Sequence, residues 1–94
     1  MLVLESAPDT NQILPFIGES ATALRDAGLE PRTILVGPLA YTRLREAVAT
    51  QFNRENQHVE QVQWLTVVVD PGRGDRVCVV PPPRESNDLR LESR

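Results

Sequence analysis

The apolar pattern of this chain changes period at one junction, and the other elements are placed around it. Between Thr33 and Tyr41 the sequence reads T-I-L-V-G-P-L-A-Y. Ile34, Leu35 and Val36 form a continuous apolar run, the pattern of a central strand covered on both faces. Gly37 then allows a sharp change of backbone direction, and Pro38 suits the first helical turn, where a missing N–H costs nothing. From Leu39 to Phe52 the stripe Tyr41, Leu44, Val48 and Phe52 predicts an amphipathic helix. Its polar positions include Arg43, Arg45, Glu46 and Gln51.

Upstream, Ile13, Ile17, Ala21 and Leu24 recur at spacings of three and four, which predicts a helix over Ile13–Ala27. Pro15 belongs in its first turn, and Gly28 is placed to close it in a left-handed conformation. Pro8, Asp9, Thr10 and Asn11 supply turn and cap chemistry before it. Leu2, Val3 and Leu4, within Met1–Glu5, read as an edge strand or an apolar arm.

Downstream, Asn53–Gln61 is almost wholly polar and reads as an exposed loop. Val62–Asp70, with Trp64 and the run Val67, Val68 and Val69, has strand composition, as has Arg76–Val80. The intervening Pro71-Gly72-Arg73-Gly74-Asp75 is a turn sequence, so the two strands are expected to pair as an antiparallel hairpin. Pro81, Pro82 and Pro83 cannot donate ladder hydrogen bonds. The expected organisation is one domain over residues 1–83 and a flexible polar tail over 84–94. The fold class is α/β (α+β), a small mixed sheet flanked by two helices. Ile34, Val36, Leu44, Val48, Phe52, Val67 and Val68 are its expected core.

Composition narrows the function classes. With 94 residues, 40% of them hydrophobic, the chain has room for one small core, and neighbouring subunits are expected to add to its burial. Self-association is therefore the first expectation. A net charge of −3 gives no reason to approach nucleic acid or an anionic membrane. All ten basic residues are Arg, a bias that reads as compositional. One cysteine, Cys78, excludes an internal disulfide. No long apolar segment or secretory leader is visible, so a cytoplasmic protein is expected.

Candidate chemistry is sparse. The strand–Gly37–Pro38–helix turn resembles a phosphate-binding junction in outline. It has one glycine, a proline where a donor is needed and no lysine anywhere, so a structural turn is the favoured reading. The triplet Arg73, Gly74 and Asp75 reads as the exposed tip of a hairpin. His58, with Glu55 and Glu60 nearby, reads as part of a solvated loop rather than a metal site. Cys78 lies in an apolar strand with no base beside it, and Asp70 and Asp75 flank a turn rather than a cleft. No catalytic, cofactor-binding or metal-ligating residue is assigned.

Taken in order, the chain gives a helix, Gly28-Leu29-Glu30-Pro31-Arg32, then T-I-L-V-G-P-L-A-Y-T-R-L, then V-V-V-D-P and a short closing strand. Over roughly residues 19–80 this order resembles the axial domain of Hong Kong 97-type capsid proteins, the fold of tailed-phage capsids and encapsulin shells. Gly37-Pro38, Tyr41, Leu44 and Val67-Val68-Val69 stand where that family has its strand-ending Gly-Pro, the aromatic and Leu of its next helix, and its valine-rich strand. The chain has no room for the spine helix, peripheral domain or extended loop of a full capsid subunit. It is thus similar to the truncated proteins called family 4 encapsulins. The resemblance implies a non-catalytic structural protein that forms a homo-oligomer and associates with a metabolic enzyme. The alternative is a small monomeric ligand-binding or regulatory module.

Overall fold

Gly28 ends the first helix as its position predicts. In the computed structural model its φ is +82°, and the N–H groups of Leu29 and Gly28 donate to the carbonyls of Leu24 and Arg25 at 3.0 Å each. This is the paired closure that a left-handed glycine permits. The helix, α1, runs over Ile13–Asp26 and buries Ile13, Leu14, Phe16, Ile17, Ala21 and Leu24. The structure describes residues 2–52, 58–82 and 90–93.

The strands are β1 (Leu2–Ser6), β2 (Thr33–Val36), β3 (Gln61–Val62), β4 (Leu65–Val69), β5 (Val77–Val80) and β6 (Arg90–Ser93). The second helix, α2, spans Pro38–Gln51. The result is a small mixed α+β domain with one six-stranded sheet in the order β3-β4-β2-β5-β1-β6. β2 lies parallel to β4 and antiparallel to β5. The parallel β2–β4 pair needs a long crossover, which α2 provides.

That order corrects the expected hairpin. β4 and β5 are not neighbours, because β2 lies between them, with Leu35 opposite both Val68 and Cys78. A five-residue turn can join adjacent strands, yet here it bridges one intervening strand by crossing over the end of β2. Central β2 then satisfies its backbone groups on both sides.

The burial pattern of β2 is also one-sided rather than continuous. Ile34 and Val36 are buried with Val77 and Val79, while Thr33 and Leu35 are half-buried. α1 packs on β5 and α2 on β2, and the helices touch each other. Both therefore cover the face carrying Ile34 and Val36.

Four further expectations are corrected. The inward stripe of α2 is Ala40, Leu44 and Ala47; Tyr41 and Val48 are half-buried at its margins, and Phe52 is exposed. Val68 is exposed, because it stands on the sheet face opposite the helices. β1 is an interior strand between β5 and β6, not an edge or an arm. Finally, Arg90–Ser93, expected in the tail, pairs in parallel with β1; residues 83–89 and 94 lie outside the described residues.

Candidate functional site

The strand-to-helix junction is occupied by the chain itself. Pro38 is the first residue of α2 and brings no N–H. The next two N–H groups, of Leu39 and Ala40, donate to the carbonyl oxygen of Gly74 at 3.0 and 3.4 Å. The N–H of Tyr41 donates to Gly37. The donors that would greet a phosphate are thus satisfied internally.

Gly74, with φ +62°, belongs to the 71–75 loop that bridges β4 and β5. That loop is held by Asp70, whose carboxylate accepts from the Gly72 N–H and from Nε of Arg73 at 3.0 Å each. Asp75 faces Arg43 of α2 at 4.0 Å. The Arg73-Gly74-Asp75 triplet is therefore folded back on the domain, and its signal is structural.

Arg73 also reaches Glu5 on β1, Nη1 to Oε1 at 3.2 Å, and Arg76 approaches the same oxygen at 3.6 Å. Glu5 is 6% exposed, and paired burial of this kind is how a carboxylate is tolerated inside a fold. Sequence reasoning missed it. The signal was a lone acidic residue ending an apolar strand, with two arginines placed to meet it once β1 pairs with β5. Cys78 lies opposite Glu5 in that pairing. Burial pushes its thiol up from the ordinary 9.0; Arg73 pulls it down, and Glu5 and Asp70 add to the rise. The thiol is free and buried, the opposite of a nucleophilic setting.

His58 is joined to α2. Its Nδ1 lies 2.6 Å from the Tyr41 hydroxyl, which also accepts the Val59 N–H at 2.9 Å. Nε2 of His58 stands 3.7 Å from Glu60. A phenol, an imidazole and a carboxylate in series have the order of an activated nucleophile. Here His58 and Glu60 are largely solvent-exposed and line none of the three cavities among the described residues, so the arrangement reads as a latch tying the end of the 53–60 connection to α2. Glu55 lies outside the described residues. Among those residues no cluster of three His, Cys, Asp or Glu is placed to hold a metal.

Besides a cavity of about 290 Å³ at the entry to α1, lined by Ser6, Pro8, Phe16 and Glu19 among others, two lie against both helices among the described residues. An open groove of about 520 Å³ runs between the α1 entry and α2, lined by Asp9, Thr10, Asn11, Arg43, Thr50 and Gln51 above Leu14 and Ala47. A more enclosed one of about 240 Å³ lies between α1, α2 and β3. Its walls are Leu14, Val48, Phe52 and Val62 with three glutamines, Gln51, Gln61 and Gln63.

At the edge of this second cavity the expected Val62–Asp70 strand is broken by a two-residue turn. Gln63 and Trp64 have φ of +52° and +69°, as a type I′ turn requires of both central residues. Neither is glycine, so the left-handed backbone costs roughly 1–2 kcal/mol at each. Gln63 gains a hydrogen bond from its amide to the Leu14 carbonyl, at 3.4 Å. Trp64 is 95% exposed. This turn is invisible to sequence patterns, because Q-W carries none of the usual Asn-Gly or Asp-Gly signature.

No protein-family model, curated protein or solved structure matches the chain. Among the described residues no helix is long and apolar enough to cross a membrane.

Proposed function

We propose that the chain is a non-catalytic assembly protein, acting in the cytoplasm as a self-associating module of the isolated axial-domain kind and docking on a metabolic enzyme. The observation that carries this reading is Trp64, the chain's one tryptophan, held fully in solvent by a backbone conformation that costs energy. Leu39, Phe52, Val68 and Val69 add further exposed apolar surface. Phe52 lies with Gln63, the neighbour of Trp64, on one cavity wall, and apolar surface gathered in this way supports a contact surface there. The polar groups support the same reading: the helix start, the carboxylates and the arginines are engaged with one another rather than gathered in a cleft.

Sedimentation velocity over a dilution series tests it, at low and high salt. The expected result is a concentration-dependent species above monomer mass. A strict monomer under every condition overturns the reading.

The 520 Å³ groove favours the second reading, a ligand-binding module, since its size is that of a small-molecule site. A monomer whose melting temperature rises saturably with one member of a metabolite panel would establish that alternative.

A further inference from the structure

We infer that two copies of this chain exchange Trp64, each indole entering the 240 Å³ cavity of the other. The inference rests on the self-association reading and names its surface. Three observations carry it.

The first is placement. Gln63 lines the cavity and Trp64 is the next residue, so a projecting ring and a hole for a ring lie side by side on one patch. A knob beside a hole is self-complementary under a two-fold axis, the commonest symmetry of homo-oligomers.

The second is chemistry. Among the described residues the cavity is lined by Leu14, Val48, Phe52, Val62 and glutamines, with no charged side chain in that set. Apolar walls suit the indole face, and amide oxygens suit its N–H, which needs an acceptor when buried. A chain of net charge −3 repels its own copy, and contact through a neutral patch minimises that cost.

The third is area. Two indoles of about 150–250 Å² each, with the walls they cover, supply much of the roughly 1,200 Å² at the low end of specific interfaces. The expected dimer is weak and reversible, in the micromolar range.

Because Trp64 is the only tryptophan, intrinsic fluorescence reports on it alone. On concentration from nanomolar to high micromolar, emission should shift to shorter wavelength in step with the rise in sedimenting mass. Trp64→Ala should weaken association by roughly tenfold or more, while leaving circular dichroism, and the melting temperature at concentrations where the wild type is monomeric, unchanged. Phe52→Glu, which places a charge at the wall, should weaken it similarly. Mixing the two variants pairs an intact indole with an intact cavity and should restore part of the dimer. Association with emission unchanged, or a mixture that recovers nothing, overturns the exchange and leaves self-association standing. A strict monomer at every concentration overturns both.

Discussion

A Cβ on Gly37 would collide with the carbonyl oxygen of Gly74. The two glycines meet because the 71–75 loop crosses the end of β2 to place that oxygen over the first turn of α2. Gly37 has φ −73° and ψ 167°, a conformation open to any residue, so its requirement is space and not backbone freedom. Gly37→Ala should therefore lower stability by about 1–3 kcal/mol through overpacking. Gly72→Ala is the control, since its new methyl would meet only the Asp70 carboxylate at an ordinary 3.5 Å. Urea denaturation of both variants checks the contrast. Equal losses would mean that the loop does not cap the helix.

Leu44→Ala should cost about 2–5 kcal/mol, because Leu44 is fully buried between α2 and the sheet. Phe52→Ala should cost under about half a kilocalorie when measured on the monomer at low concentration, because Phe52 is exposed there. Comparable losses in reversible denaturation would restore the stripe through Phe52 and refute the one through Ala40, Leu44 and Ala47.

That stripe shows where sequence reasoning stops. Local signals were readable: Gly28 closes α1, Pro38 opens α2, and the period changes mark β2 and the valine-rich strand, although not that the two lie parallel. Alanines at 40 and 47 carry little hydrophobic signal of their own, so the larger Tyr41, Val48 and Phe52 drew the predicted stripe to one side. Strand order is a non-local property, and nothing in V-V-V-D-P-G-R-G-D-R-V-C-V-V reveals that β2 will insert between its two halves. Pairing of β1 with β6 joins the two ends of the sequence and is equally invisible to windowed patterns. The same holds for Glu5 and Arg73, which are 68 positions apart. The enzyme-like junction at Gly37 was readable as a turn, but its filling by Gly74 depended on that unreadable crossing.

Ser20 is 2% exposed on the inner side of α1, and its hydroxyl oxygen has no hydrogen-bond partner among the described residues. An unsatisfied buried hydroxyl costs about 1–3 kcal/mol, so removing it at little change in volume should help. Ser20→Ala is expected to stabilise by roughly 1 kcal/mol, with a further contribution from the higher helix propensity of Ala. A thermal melt reads the difference. A loss of stability would show that the hydroxyl is bonded in solution.

Cys78 is expected to lower stability at alkaline pH. Burial is the largest cause of its raised pKa; the Arg73 guanidinium opposes that rise, and Glu5 and Asp70 reinforce it. The native state thus holds the thiol proton to higher pH than the unfolded chain, whose thiol titrates near 9.0. Above that value the unfolded state binds fewer protons, so stability is fully present below about pH 9 and declines as pH rises through the native pKa. Cys78→Ser or Cys78→Ala should flatten this decline, whatever either does to stability at neutral pH. At pH 7 a disulfide reagent should label the thiol only at the rate of unfolding, because buried Sγ is neither ionised nor reachable. Denaturant melts between pH 7 and 10.5 on wild type and Cys78→Ala, with the labelling rate followed in parallel, decide the matter. Identical pH profiles for the two proteins, or rapid labelling of the native state, would show that the thiol is accessible at the sheet surface and that Arg73 and Glu5 do not cover it.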